Sequence, residues 1–246
     1  MAKRLSFGVD SLDQRLGGGL PLAALHEVRS DETRGSGAAT GFAAGLLTRL
    51  AAIQPKPILW VEEEMASTEA GLPFGGGLVR FGLDPFRLIM IRARRTEDAL
   101  WVFEEGLRCS GLAAVLLVLR GASSALNLTA SRRLALRSAK NGVMGVMLRQ
   151  ASEAEPGAAT TRWRVSPRPA AVMDNFHKGI GRPVWRVELE RSRLGPVGQI
   201  DLEWDHARKR FGDATETVSV AGSAVPFDRP DFAAGSRTEL AFRRAS

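Results

Sequence analysis

Apolar and polar positions along the chain predict strands that alternate with helices. Short apolar runs of the kind found in buried parallel strands lie between polar segments, at Leu22–Val28, Ile58–Val61, Leu88–Ile91, Ala113–Leu119 and Val143–Leu148. Apolar residues at helical spacing mark helices before and between these runs, at Leu12–Leu16, at Ala38–Ile53, from Thr96 onward and at Thr129–Ala139. This alternation predicts an α/β fold with a mostly parallel central sheet flanked by helices.

The pattern changes after Gln150. Three segments with alternating apolar and polar residues predict antiparallel strands at the edge of the sheet, at Thr161–Val165, Val184–Leu189 and Gln199–Trp204. From Gly212 to Ser246 the chain is rich in Gly, Ser, Pro, Asp and Arg and poor in apolar residues. Such a composition buries too little apolar surface to fold alone, so we expect one domain at residues 1–211 and a disordered tail at 212–246.

The segment Ser30–Gly37 has the layout of a phosphate-binding loop without its chemistry. It follows the first predicted strand and precedes an amphipathic helix, as in the pattern G-x-x-x-x-G-K-[ST], but it reads S-D-E-T-R-G-S-G. Only Gly35 matches, because Ser36 replaces the phosphate-binding lysine and Gly37 replaces the magnesium-binding hydroxyl residue. The loop is therefore predicted to be degenerate, with the notable positions Ser30, Arg34, Gly35, Ser36 and Gly37.

Composition and charge narrow the class of protein. The net charge of +7 over 246 residues permits contact with nucleic acid, although the Lys and Arg residues are scattered. The single cysteine, Cys109, excludes an internal disulfide and argues against a zinc site. The longest apolar run, Leu112–Leu119, is far shorter than the ~18 residues of a membrane span, and the first residues lack the apolar region of a signal peptide. We expect a cytoplasmic protein without metal, cofactor or membrane contact.

The order of elements resembles the RecA-like ATPase core, and from Phe7 to Phe211 the chain resembles the ImuA family. The segments that carry this resemblance are F-G-V-x-x-L-D-x-x-L-G-G-G-L-P at Phe7–Pro21, H-E-V at His26–Val28, A-A-T-G-F-A at Ala38–Ala43, I-L-W-V-E at Ile58–Glu62 and the turn at Arg191–Gly198. The resemblance implies a RecA-like fold and an accessory role in DNA-damage-induced (SOS) translesion synthesis and mutagenesis. The partners it implies are ImuB, a relative of the Y-family polymerases, and RecA.

The resemblance also assigns positions to the roles of a RecA-like ATPase. Glu64 matches the carboxylate that activates water after the second strand, and Gln150 matches the glutamine that senses the γ-phosphate. The aspartate expected at the end of the buried strand is missing, since Val115–Ser124 contains no carboxylate. Loss of the lysine, the hydroxyl and the aspartate removes the groups that stabilise phosphoryl transfer, so we expect no ATPase activity.

Two other functions compete with a protein-binding role. A DNA-dependent ATPase is opposed by the missing catalytic groups, and a basic DNA-binding module is favoured by the net charge. The loops Arg120–Leu128 and Ala151–Thr160 are short, and neither offers an aromatic side chain for stacking bases, so we expect only weak, non-specific DNA binding. The predicted tail carries possible partner-binding residues at Phe227, Arg229, Phe232, Arg237, Leu240, Phe242, Arg243 and Arg244.

Overall fold

A central sheet organises the computed structural model, which describes residues 3–170 and 181–214. In chain order, the strands are β1 (Arg4–Leu5), β2 (Leu20–Pro21), β3 (Leu25–Arg29), β4 (Ile58–Glu63), β5 (Leu88–Ala93), β6 (Ala114–Arg120), β7 (Met144–Gln150), β8 (Thr161–Arg168), β9 (Val184–Ser192), β10 (Gly198–Asp205) and β11 (Arg210–Asp213). The helices are α1 (Asp10–Arg15), α2 (Ser36–Ile53), α3 (Glu64–Ala70), α4 (Gly75–Phe81), α5 (Thr96–Arg108) and α6 (Leu128–Asn141). Short 3-10 turns lie at Thr33–Gly35 and Pro85–Arg87.

The strand order divides the sheet into a parallel part and an antiparallel part. Nine strands pair in the order β11-β10-β9-β8-β3-β7-β6-β4-β5, and β1 and β2 form a separate antiparallel pair. Pairing is parallel from β8 through β3 to β5 and antiparallel from β8 to β11. The carboxyl ends of β3, β4, β6 and β7 therefore meet at one edge, which is where α/β sheets bind ligands.

Helices cover both faces of the parallel strands. Helix α2 packs on one face, where Phe42 lies among Phe7, Trp163 and Phe211 in one continuous apolar cluster. Helices α5 and α6 cover the other face, where Phe103 belongs to a second cluster. Strands β6 and β7 are buried almost throughout because a helix layer lies on each side of them.

Helix α2 is unusually apolar. With the preceding turn it spans Thr33–Ile53 and has a mean hydropathy of 1.2. Judged by length and composition alone, it is long and apolar enough to cross a membrane. Here it is a core helix, because Phe42, Leu46, Leu47 and Leu50 are fully or almost fully buried in the cluster on the sheet. Its apolar character is accounted for by this packing.

The predicted order of strands and helices is confirmed, with differences in two regions. Helix α3 was not predicted, and α4 begins within Gly71–Gly77, where the Gly-rich composition predicts a linker. Helix α4 ends at Gly82, whose φ of 93° is left-handed. Strand β11 was not predicted. It includes Gly212 and Asp213, so the sheet extends two residues beyond the predicted start of the tail. Residues 215–246 lie outside the described residues.

Candidate functional site

The loop between β3 and α2 has a compact backbone. The 3-10 turn at Thr33–Gly35 runs directly into α2 at Ser36, and the Gly35 N–H donates to the Glu32 carbonyl oxygen at 3.0 Å. All of residues 30–37 are described, and none of them has a positive φ. A backbone cradle for an anion is commonly built with a left-handed residue. This loop has none, so its backbone does not form such a cradle.

Two arginines, Arg29 and Arg164, neutralise the charge of Asp31 in this loop. Arg29 ends β3 and is buried; it lies 2.5 Å from Asp31 Oδ1, donates to Glu190 Oε2 at 2.8 Å and to the Ser152 carbonyl oxygen at 2.8 Å. Arg164 also donates to Asp31, at 3.2 Å. The bond to Glu190 raises the pKa of Arg29 above its usual value. Burial alone would raise the pKa of Asp31, but hydrogen bonds from the two arginines hold it below its usual value.

Arg120, the last residue of β6, contacts the loop from the sheet. Its Nη2 donates to Thr33 Oγ1 at 2.7 Å and lies 3.7 Å from Glu69 Oε2. Its backbone N–H donates to Glu63 Oε2 at 3.1 Å. This strand end is the place where the resemblance to RecA-like ATPases locates the magnesium-orienting aspartate. The strand end therefore carries a guanidinium, with the carboxylates of Glu63 and Glu69 beside it.

The two residues predicted as relics of an ATPase site lie in different environments. Glu64 begins α3 and is exposed, and its carbonyl oxygen accepts hydrogen bonds from Ser67 and Thr68. Gln150 ends β7 and is only 3% exposed. The carboxylate buried near Gln150 belongs to Glu62, which is also 3% exposed. Side chains two residues apart in a strand lie on the same face, so Glu62 shares the sheet face of Trp60. This two-residue periodicity is the signal in the sequence that could have identified Glu62.

The remaining predicted loop positions are split between the core and the surface. Ser30, Gly35 and Ser36 are buried, whereas Arg34 and Gly37 are exposed. Arg34 forms an exposed ion pair with its neighbour in the loop, Glu32, at 2.5 Å. The predicted tail positions lie outside the described residues, namely Phe227, Arg229, Phe232, Arg237, Leu240, Phe242, Arg243 and Arg244.

A pocket of about 490 Å³ opens beside this loop. Its walls come from the first half of α2, from the carboxyl ends of three parallel strands, from the segment 70–81 and from the start of β9. The apolar walls include Trp60, Phe74, Leu78, Phe81, Val118 and Trp185. Pockets of this size and apolar character are typical small-molecule sites.

Four buried polar atoms of the pocket have no hydrogen-bond partner within the described part of the chain. They are Ser36 Oγ, Trp60 Nε1, Glu62 Oε2 and Gln150 Oε1, and each of these residues lines the pocket. An unpaired buried polar group costs about 1–3 kcal/mol, so four in one pocket are a costly arrangement for a purely structural site. These atoms define the pocket as a candidate binding site.

Burial changes the acid–base behaviour of this pocket. Desolvation raises the pKa of Glu62 to about 7, and the positive charge of Arg92 on β5 opposes this only in part. Glu62 is therefore close to half ionised at neutral pH. Across residues 3–170 and 181–214, no group of three or more His, Cys, Asp or Glu side chains is placed to hold a metal ion.

Comparisons with known proteins agree with this fold. No protein-family model matches the chain. Two proteins named Protein ImuA, from Caulobacter vibrioides strains NA1000 / CB15N and ATCC 19089 / CIP 103742 / CB 15, are each 36% identical to it over 209 residues, which cover 79% of this chain and 80% of each relative. The crystal structure of the RadB recombinase superposes with a TM-score of 0.55 at 19% identity, covering 86% of this chain and 100% of that one. The structural likeness confirms the predicted RecA-like fold.

Proposed function

The chain belongs to the ImuA family, and from this premise we propose that it is a non-catalytic accessory protein of DNA-damage-induced translesion synthesis that acts by binding other proteins. Its proposed partners are an ImuB-type relative of the Y-family polymerases and RecA. The proposed location is the cytoplasm. No nucleotide cofactor is part of the proposed mechanism.

The contact between Arg120 and Thr33 carries the proposal that the protein does not hydrolyse ATP. Phosphoryl transfer needs a lysine and a metal ion to stabilise the charge of the phosphates. In this loop Ser36 and Gly37 supply neither a lysine nor a magnesium-binding hydroxyl at the expected places. Strand β6 ends in Arg120, and Val115–Ser124 contains no carboxylate. The ion pairs of Arg29 with Asp31 and Glu190 further fix the loop without a ligand.

Strand β5 supports the proposal that the protein binds other polypeptides. It pairs with β4 on one side, and no described strand pairs with its other side. Three consecutive apolar side chains in its middle are exposed, by 47% for Ile89, 46% for Met90 and 37% for Ile91. An open apolar edge strand is unfavourable in water and is a common site for a partner's added strand. We infer that β5 is one docking surface for a partner.

The polar face of the antiparallel strands is a weaker candidate for DNA binding. Its arginines are paired with acids of neighbouring strands: Arg164 with Glu188, Arg168 and Arg186 with Asp201, and Arg182 with Glu203. Because these pairs neutralise much of the local charge, this face offers few free cations for phosphate contacts. DNA binding is therefore not proposed as the main function.

The tail remains a second proposed docking element. Its spaced aromatic and arginine residues are of the types that protein interfaces favour, and the arginines suit an acidic partner surface. Since Asp213 belongs to β11, a truncation that tests the tail must end after Ala214. We expect residues 1–214 to fold and to bind partners more weakly than the full chain.

Co-purification with the ImuB-type protein and with RecA tests these docking surfaces. We expect Met90→Asp to reduce recovery of at least one partner, because a charge on the edge blocks addition of an apolar strand. Val197→Asp is the matched control, since Val197 is 58% exposed in the turn between β9 and β10. Equal recovery with the full chain, with Met90→Asp and with residues 1–214 would reject both docking surfaces.

A further inference from the structure

The pocket beside the degenerate loop has a chemistry that protein docking at β5 does not use. Ser36 Oγ, Glu62 Oε2 and Gln150 Oε1 can all accept a hydrogen bond, and all three are unpaired within the described residues. Their residues are 2–3% exposed, so water does not surround them freely. Three of the four unpaired atoms in the pocket lining are thus acceptors, against one donor, Trp60 Nε1, and this balance favours a ligand rich in N–H donors.

The charge of the pocket lining favours a cationic ligand. Among the described residues that line the pocket, Glu62 is the one ionisable side chain, and none is Lys, Arg or His. The amino end of α2 at Ser36 contributes at most about half a positive charge, which does not cancel a full carboxylate charge. An anionic ligand such as a phosphate or a carboxylate would meet ionised Glu62 at close range and is disfavoured.

The walls of the pocket favour a flat, apolar ligand body. Trp60 and Trp185 are buried in the wall, and Leu72 and Phe74 are 57% and 80% exposed along the segment that joins α3 to α4. Aromatic faces attract planar cations as well as apolar rings. A ligand seated here would cover apolar surface that is now open to solvent.

We propose that this pocket binds a small organic cation in which an amidinium or guanidinium group is carried on a flat apolar body. The cationic N–H groups donate to Glu62 and Gln150, and the body packs against the aromatic walls. Partner docking at β5 does not require this ligand, so ligand binding and partner binding can fail independently.

Three isosteric probes test the charge preference directly. Benzamidine is a cation, benzamide is neutral and benzoate is an anion, while their rings are the same. By calorimetry on the full chain we expect benzamidine to bind with a Kd on the order of 1 mM, as suits so small a ligand. Benzamide should bind more weakly and benzoate not measurably. Equal affinity for the three probes, tighter binding of benzoate, or no binding of benzamidine at about 10 mM, roughly tenfold above that Kd, overturns the proposal.

Variants locate the binding to Glu62. Glu62→Gln keeps the shape of the side chain and should weaken benzamidine binding about tenfold or more, because a hydrogen bond to a charged group is lost. Glu64→Gln is the matched control, since Glu64 is exposed and does not line the pocket. Urea unfolding of both variants establishes that they are folded. Unchanged affinity in folded Glu62→Gln would place the ligand elsewhere and overturn the assignment.

Dependence on pH gives an independent readout. Between pH 6 and pH 8, benzamidine stays charged while Glu62, with a pKa of about 7, becomes mostly ionised, so affinity should rise about tenfold. Arg92 on β5 is the charged group that acts on Glu62. Other charged residues on the surrounding elements include Arg120 on β6, Glu64 and Glu69 on α3, Arg80 on α4, and Arg168 and Arg182 beside the pocket's prolines. The rise should disappear in Glu62→Gln, and its persistence there would overturn the role of Glu62.

An arginine side chain carries the same cationic group. A fourth probe separates the two sources of this group, a small aromatic molecule and an arginine of another polypeptide. N-acetyl-argininamide has a flexible aliphatic stem in place of the ring. If benzamidine binds and this probe does not, the ligand is a small aromatic cation. If both bind and both depend on Glu62, the pocket also accepts an arginine of another polypeptide, and the proposed chemistry is supported in either case.

Discussion

Arg120 Nη2 lies 2.7 Å from Thr33 Oγ1, and this bond joins the end of β6 to the loop that precedes α2. In the proposed comparison with RecA-like ATPases, these two elements correspond to the phosphate-binding loop and to the metal-binding strand end. Here a protein side chain joins them directly. This contact supports, together with the absent lysine, the proposal that the protein does not hydrolyse ATP.

We expect no ATP hydrolysis, with or without single-stranded DNA. We also expect none from the double variant Ser36→Lys, Gly37→Thr, because Arg120 and the compact backbone of the loop remain. Phosphate release is the measurement, with a buffer blank as reference. Turnover clearly above the blank that Glu64→Gln abolishes would contradict this expectation.

Removal of Arg29 should destabilise the fold strongly. Arg29→Met removes the buried partner of Glu190 and Asp31, and breaking a buried ion pair costs about 3–5 kcal/mol. We expect a loss at the lower end of this range, because Asp31 is half exposed and Arg164 stays beside both acids. Arg34→Met is the control, because the pair of Arg34 with Glu32 is exposed and should contribute about 0–1 kcal/mol. Urea unfolding measures both. Similar losses in the two variants would show that the buried network is not special.

Two buried groups should give the stability opposite dependences on pH. Burial lowers the pKa of His26 to about 4, although its hydrogen bond to the Pro21 carbonyl oxygen acts in the opposite direction. Between about pH 4 and 6.5 the unfolded chain therefore binds a proton at His26 that the folded chain does not, and stability rises with pH over this range. Glu62 keeps its proton in the folded chain up to about pH 7 but loses it near 4.5 when unfolded, so its contribution falls over that range. Each slope is about 1.4 kcal/mol per pH unit, and the two largely offset each other.

Variants should reveal these slopes separately. Relative to the unmodified chain, the unfolding free energy of His26→Asn should fall as pH rises from 4.5 to 6.5, and that of Glu62→Gln should rise over the same range. Urea unfolding at three pH values measures both differences. Parallel profiles for the two variants would contradict the assigned protonation states.

Two glycines of helix α2 should respond in opposite directions to the same substitution. A Cβ at Gly45 would lie 2.7 Å from Phe211 Cζ and 3.2 Å from Trp204, so Gly45→Ala should cost about 1–3 kcal/mol through overpacking. A Cβ at Gly37 meets nothing within 4 Å, so Gly37→Ala should stabilise the helix by up to about 1 kcal/mol. Thermal unfolding compares them. A stabilising Gly45→Ala would mean that the aromatic cluster yields easily.

DNA binding should be weak, independent of sequence and sensitive to salt. On the antiparallel strands, Arg164, Arg168 and Arg186 are paired with acids, and phosphate contacts alone lose affinity steeply as salt rises. Fluorescence anisotropy with several labelled oligonucleotides measures this. Tight binding that persists at about 200 mM salt, or a strong preference for one sequence, would contradict it.

The sequence predicted the strand and helix order because the apolar runs are long and distinct. The run Ala113–Leu119 and the helical spacing from Phe42 to Leu50 have few competing interpretations. Helix α4 was missed because Gly75–Gly77 has the composition of a linker. Its helical form depends on burial of Leu78 and on the left-handed turn at Gly82, which local propensity does not reveal.

The candidate site was predicted only in part, because its chemistry depends on which way each side chain points. Three adjacent glutamates offered Glu62, Glu63 and Glu64, and the choice among them depends on where β4 ends. The strand continues through Glu63, so Glu62 is part of the pocket lining and Glu64 begins a helix at the surface. The contact of Arg120 with Thr33 joins residues 87 positions apart, and no local pattern indicates it.

The strand order sets the distance between two attachment points. Strand β5 forms one end of the nine-stranded sheet and β11 the other, and within the described residues neither has a second neighbour. Eight strand spacings of about 4.8 Å separate them, roughly 38 Å along the sheet. The segment that follows Ala214 leaves from the β11 end, whereas an added strand would join at β5. If both proposed docking elements are used, the sheet separates the two attachment points by about this distance.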